Sequence, residues 1–325
     1  MNEREVLARL KRIATAPEAR GLADDAALLD RLVITHDSIA EGVHFLPEDP
    51  PASVGWKLVA VNLSDLAAKG ATPAGALLSL PLTGAGEWES LLLDGIEAAC
   101  ESYALPLIGG DTFTLPQGAP RVLGLTAIGR AGPRVPDRGG GEPGDRLWLV
   151  GTLGDSAAGL AQLREDRRAS SALVDVYRRP IPLLVAGQAI APHAKAMMDV
   201  SDGLLLDARR MAETSGCVAE IDVDALPLSG AFVEARGKAR AARLFAASGG
   251  DDYALLAALP PDFDPETLSL PAGTKIAAIG ALAAGEPEVR LTSKGKPVPL
   301  PEVLGFEHDS NQHPARPVSP VVDRH

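Results

Sequence analysis

The chain has 325 residues, of which 46% are hydrophobic and 23% charged, enough for two domains with buried cores. Its 31 Lys and Arg against 43 Asp and Glu leave a net charge of −12, which argues against nucleic acid as a partner, because that binding runs on basic patches. No apolar run approaches the roughly 18 residues of a membrane span, and the N-terminal MNEREVLARLKRIA mixes charges at helical spacing without a signal-peptide apolar core.

Aspartates recur in small-residue settings along the chain. GLADDAALLD (21–30) places Asp24 and Asp25 after a glycine and before an apolar strand; alone, such a pair is most often a turn, since Asp bonds local backbone. RLVITHDSI (31–39) reads as a strand running into a loop, with Asp37 and His44 available there, and His44 is open to a structural reading as well. Residues 53–69 read as a helix, with Val54, Leu58, Val61 and Leu66 at helical spacing and Gly70 as its stop. Asn62 and Asp65 fall three apart on one face of that helix, among apolar neighbours.

A strand over 75–82 and an amphipathic helix over 87–105 follow, then strands over 105–111 and 121–130. The first of that pair reads as buried and ends in LIGGDT (107–112), where two glycines let backbone approach a ligand closely. Residues 131–145 contain four Gly in the six residues 139–144 and read as the domain linker. Beyond it come a strand over 146–152, a helix over 155–168, helices near 183–191 and 202–215, and strands over 217–223, 253–259 and 275–283. In MMDVSDGLLLD (197–207), Ser201 is placed to cap a helix with Asp202 in its first turn, which leaves Asp199 unexplained. ASGGDDYALL (247–256) is a second Gly-Gly-acid turn, and the residues from about 309 onward are expected to be disordered. Cys100 and Cys217 form no CxxC pair and read as packed thiols of a reduced cytosol, so a cytoplasmic protein is expected.

A fold that buries several of these carboxylates needs cations. Magnesium is the first choice, because it binds through a few carboxylates plus substrate phosphates. The chain has no GxxxxGK[ST] loop, no GxGxxG fingerprint, no GxSxG elbow and no His/Cys metal spacing. A bound nucleotide would therefore be held through metal bridges, helped by cations such as Lys57 or Arg138.

Taken in order, GLADDAALL, ITHDSIAEGVHFLP, VGWKLVAVNLSDLAAKGATP, LIGGDT, TLGDSAAGL, MDVSDGL and SGGDDYALL closely resemble the thiamine-monophosphate kinase family, over about residues 21–306. That family shares a superfamily with aminoimidazole ribonucleotide synthetase and selenophosphate synthetase. The resemblance implies an α+β chain of two domains. Residues 1–135 would bind metal and ATP and dimerise, strands of both subunits forming a barrel; residues 136–308 would form a C-terminal α+β domain, with 309–325 as a tail. It implies magnesium-dependent transfer of the ATP γ-phosphoryl group to thiamine monophosphate in a homodimer. Asp25, Thr35, His36, Asp37, Asp65, Asp111, Asp199 and Asp202 would serve the metal, and Gly110, Asp111, Arg138 and Ser201 the nucleotide. His44, Asp251 and Phe306 would serve thiamine monophosphate. The chain departs from the family pattern at Ala23 (for Gly), His36 (for Thr), Asp251 (for Glu), Phe306 (for Trp or Tyr) and FTLP at 113–116.

The implied acceptor is a phosphate monoester with a second pKa of about 6, dianionic at neutral pH and in no need of a general base. Direct in-line transfer without a phosphoenzyme is expected. Two rival readings are another enzyme of the superfamily and an acidic scaffold; a selenophosphate enzyme would need a reactive Cys near its N-terminus, and the first here is Cys100.

Overall fold

A computed structural model of the chain describes residues 3–307. Two sheets divide it. The first collects elements of the N-terminal half: α1 (Glu3–Ile13), β1 (Ala27–Leu29), β2 (Leu32–Ala40), α2 (Pro51–Ala68), β3 (Thr72–Leu82), α3 (Gly86–Ser102), β4 (Leu107–Thr114) and β5 (Val122–Arg130). Its strand order is β1-β2-β5-β3-β4, antiparallel except for the β3–β4 pair. That parallel pair follows from the helix between them, since a parallel return requires a crossover connection.

The expected linker carries no strand or helix between Arg130 and Arg146. The second half then runs β6 (Arg146–Val150), α4 (Asp155–Glu165), α5 (Ala172–Arg178), α6 (Leu184–Ile190), β7 (Ala196–Val200), α7 (Leu204–Ser215), β8 (Val218–Asp222), α8 (Gly230–Arg236), α9 (Arg240–Ser248), β9 (Ala254–Leu259), β10 (Ile276–Ala283), β11 (Glu288–Ser293) and β12 (Lys296–Val298). Its seven strands are ordered β12-β11-β8-β10-β6-β9-β7.

Helix α2 joins the halves. Fourteen of its eighteen residues are buried, so it has no solvent face, and it packs against α3, β2 and β5 on one side and against α6 and β7 on the other. The approach to α6 is close enough that a Cβ on Gly187 would stand 2.0 Å from the Ala67 carbonyl oxygen. Polar residues on such a helix can only face other protein or an enclosed site. None of the described helices is long and apolar enough to cross a membrane.

Several expectations need correction. The helix expected over 155–168 stops at Glu165, and α5 forms separately behind an N-cap in which Ser171 Oγ accepts from Val174 N. Ser201 caps nothing: the residue before α7 is Gly203, with a positive φ of 117°, and Asp202 lies ahead of the helix rather than in its first turn. Asp207 takes over the neighbouring amide, accepting from Asp202 N at 3.1 Å. The strand around LIGGDT is not buried. β4 is the edge of its sheet, with β3 as its one strand partner, and all eight of its residues are exposed. The expected tail lies outside the described residues.

Candidate active site

β2 and α2 bring the first carboxylates together. Thr35 and Asp37 alternate to the face of β2 that meets α2. From α2, Asn62 Oδ1 accepts from Asp37 N at 2.9 Å while its Nδ2 donates to Leu58 O at 2.9 Å, fixing the amide both ways. Asp65 takes the Thr35 hydroxyl, and Ser64 Oγ donates to Asp199 Oδ2 at 2.7 Å, so one helix turn reaches from the first sheet to β7 of the second. The Asn62 and Asp65 spacing was readable in the sequence; the part played by Ser64 was not.

Asp25, Asp37, Asp65 and Asp199 form one electrostatic group. Burial first, then the charges of Asp37, Asp199 and Asp25, push the Asp65 carboxyl well above its ordinary range. Asp199 is raised in the same way, by burial and then by Asp25. Asp25 behaves differently: burial opposes its ionisation, but Lys69 and Arg138 outweigh it and hold the carboxyl below its usual value. Asp202 pairs with Arg210 at 2.5 Å, and Arg210 also holds Asp207 at 2.8 Å. Burial, with Asp202 adding to it, pushes Asp207 up to about 7.

A cavity of about 450 Å³ opens between the halves. Asp37 and His44 line it from the first half, and Ser201, Asp202, Asp251 and Phe306 from the second. His44 Nδ1 accepts from Ala40 N at 2.9 Å, which leaves Nε2 as the protonated nitrogen. Asp251, at a positive φ of 64°, is held at both oxygens, by Lys57 Nζ at 2.6 Å and by the Tyr253 hydroxyl at 2.9 Å. Lys57 also donates to His44 O at 2.9 Å and lies 4.3 Å from the Tyr177 ring centroid. Phe306 is seated by its amide, which donates to Asp202 O at 2.8 Å. Lys57, which the sequence suggested as a cation for a nucleotide, is engaged with His44 and Asp251; Tyr253 and Arg164, also on the cavity wall, gave no signal in the sequence.

Other expected site residues stand apart. In the sheet register Asp111 aligns with Ser79, Gly124 and Ser38, and so lies on the pleat face opposite Asp37. Three interstrand spacings, about 14 Å, separate β4 from β2. The His36 ring turns to the same outer face, with Nδ1 2.9 Å from Thr126 Oγ1. Gly110 has a φ of 149°, and a Cβ there would stand 2.0 Å from Leu78 O, so β4 admits no side chain at that point. A larger cavity of about 850 Å³, lined among others by Tyr103, Leu183, Asp252 and Lys275, contains none of these carboxylates.

Among the described residues no three His, Cys, Asp or Glu side chains close on one point as a metal cage. The donor set nevertheless fits magnesium, which keeps several waters and takes one or two carboxylates plus phosphate oxygens. The fit rests on Asp65 and Asp199, two buried carboxylates that the charges of Asp25 and Asp37 both oppose, and that among the described residues have a hydroxyl, but no cation, at hydrogen-bonding distance.

The model of the AIR synthase related protein N-terminal domain matches residues 23–131, and that of the C-terminal domain matches residues 142–291. The thiamine-monophosphate kinase of Salmonella typhimurium is 38% identical over 302 residues, covering 89% of this chain and 91% of that protein. That of Caulobacter vibrioides is 39% identical, covering 93% and 89%. The solved structure of AaThiL complexed with AMPPCP and TMP superposes with a TM-score of 0.81 at 31% identity, over 95% of this chain and 97% of the other. The chain therefore belongs to the thiamine-monophosphate kinase family and has its two-domain, AIR synthase-like mixed α/β fold.

Proposed function

We propose that this chain catalyses magnesium-dependent transfer of the γ-phosphoryl group of ATP to thiamine monophosphate, giving thiamine diphosphate and ADP by direct in-line displacement. The observation that carries the reading is the interdomain cavity, in which Asp37 and Asp202 share walls with His44, Asp251 and Phe306. The fold match to a kinase crystallised with both an ATP analogue and TMP supports it.

The acceptor phosphate is dianionic near neutral pH and attacks without a general base. The protein's contribution is to position and to compensate charge. His44, Asp251 and Phe306 hold the acceptor. Ser201 and Arg138 would hold the nucleotide; Gly110 and Asp111, on the outer face of β4 about 14 Å across the sheet from β2, would serve it only where a second copy brings its own β4 to the site. Thr35, Asp37, Asp65, Asp199 and Asp202 would hold magnesium; His36, whose ring is turned to the outer face, would contribute only through its strand backbone. Magnesium, when bound, supplies the positive charge that two polyanions need to meet inside an acidic protein.

A homodimer is part of this reading. β4 is an uncovered edge, and Leu77, Phe113 and Val122 share the exposed outer face of the first sheet with Asp111. A long exposed apolar edge is a liability unless another chain covers it. We place the domain division near residues 135 and 136 and infer a cytoplasmic location, which the two unpaired cysteines fit.

The test is thiamine diphosphate formation from ATP and thiamine monophosphate, with and without magnesium. Hydrolysis of ATP to phosphate with no thiamine diphosphate would refute the assignment, and a phosphoprotein trapped from labelled ATP would refute the direct transfer.

A further inference from the structure

Lys69 follows α2 directly and is fully buried. Four oxygens surround its ammonium: Asp24 Oδ1 at 2.5 Å, Asp25 Oδ2 at 2.9 Å, Met197 O at 2.9 Å and Pro136 O at 3.3 Å. Two carboxylates and two carbonyls make a donor set of the kind hard cations take. Here the separations are those of N–H···O bonds, well beyond the roughly 2.1 Å of magnesium to oxygen. Arg20 pairs with Asp24 at 2.6 Å, and Arg138 pairs with Asp25. The Asp24–Asp25 turn is thus met by three cations, whereas among the described residues Asp65 and Asp199 meet hydroxyls alone.

We propose that Lys69 occupies, as a tethered ammonium, the cation position at Asp25, so that this chain binds its divalent ions on the Asp37–Asp65–Asp199 side only. Asp25 then anchors Lys69 and Arg138 instead of ligating metal. The backbone at this point is held close to the second half, since a Cβ on the next residue, Gly70, would stand 2.3 Å from Ala191 Cβ, and the Lys69 side chain itself is fully enclosed. A divalent ion entering beside it would meet a fixed like charge. The inference deepens the magnesium-dependent reading above and rests on it.

The experiment is Mn²⁺ binding to the full chain without nucleotide, read by electron paramagnetic resonance of the free ion. Asp25→Asn is expected to bind the same number of ions as the unsubstituted chain, with Kd within about twofold, while Asp65→Asn weakens binding at least about tenfold. Lys69→Met is expected to gain one bound ion and to melt at a temperature that rises with Mn²⁺ more steeply than in the unsubstituted chain. Loss of an ion in Asp25→Asn, or an unchanged ion number in folded Lys69→Met, overturns the inference and leaves the kinase reading standing. If Lys69→Met does not fold even with Mn²⁺, the Asp25→Asn arm decides alone. No Mn²⁺ bound by the unsubstituted chain overturns both this inference and the metal reading, while thiamine diphosphate formation reports separately on the phosphotransfer.

Discussion

Lys57 Nζ stands 2.6 Å from Asp251 Oδ2, a bond between a helix of the first half and a loop of the second. The same ammonium holds the His44 carbonyl. One buried lysine therefore sets the separation between two residues assigned to the acceptor.

Lys57→Met is accordingly expected to lower stability by about 3 kcal/mol, at the bottom of the range for breaking a buried pair because the Asp251 side chain is 27% exposed. The KM for thiamine monophosphate should rise about tenfold, with the KM for ATP little changed. Thermal melting and steady-state kinetics check both. Equal changes in the two KM values would show that Lys57 does not position the acceptor side.

Phe306 seats on the Asp202 carbonyl and lines the same cavity. Its ring should stack on the acceptor, a contact of about 0.5–1.5 kcal/mol. Phe306→Ala is expected to weaken thiamine monophosphate about three- to tenfold and ATP hardly at all. Competition binding against each ligand separates the effects, and parallel losses would remove Phe306 from the acceptor pocket.

Asp65 is buried, repelled by its neighbours and held by one hydroxyl. Asp65→Asn keeps the shape and a hydrogen-bonding oxygen for Thr35, so the fold should survive while turnover falls by about two to three orders of magnitude. Circular dichroism and thiamine diphosphate formation are the measurements. Near-normal turnover in a well-folded variant would take Asp65 out of the metal set.

The reach of sequence reading can be judged from particular residues. The period of Val54, Leu58, Val61 and Leu66 marked α2 to within two residues at its start and one at its end. The same pattern could not show that the helix is buried all round, because that depends on α6 and β7 arriving from far along the chain. The cavity-lining residues His44, Asp202, Asp251 and Phe306 emerged from ordered motif resemblance; spacing alone left each open. Lys57 and Lys69 were opaque because each meets partners more than 40 residues away, Asp251 and Asp24 respectively, and a lone lysine in an apolar run states nothing about its counter-ion. The apolar content of LIGGDT suggested burial, but sheet order made its strand an edge.

Asp252 offers a pH test away from the metal carboxylates. Burial, with the Asp155 and Asp251 charges adding to it, raises its carboxyl well above 3.8, against the Gly154 amide bond that lowers it. The folded state therefore holds a proton that the unfolded chain releases at the ordinary carboxylate value. Its contribution to stability is present at low pH and is lost as pH rises from about 4 through the raised folded value. Asp252→Asn preserves an acceptor for Gly154 N and deletes the titration. The fall in Tm between mildly acidic and neutral pH should be smaller in the variant; identical slopes would refute a raised carboxyl at this position.

The edge strand gives the last prediction. Leu107 and Ile108 on β4 are 50% and 59% exposed, beside an uncovered sheet face carrying Leu77, Phe113 and Val122. Charge on an edge strand blocks pairing with another chain at little cost to the strand itself. Ile108→Lys should leave the melting temperature of dilute protein nearly unchanged, yet shift sedimentation velocity from a dimer to a monomer. Because Asp111 lies three residues further along the same strand, activity should fall with dimer content if a second copy completes the nucleotide side of the site. A variant that remains dimeric would show that the chains associate through another surface, and a monomer of full activity would confine the site to one chain.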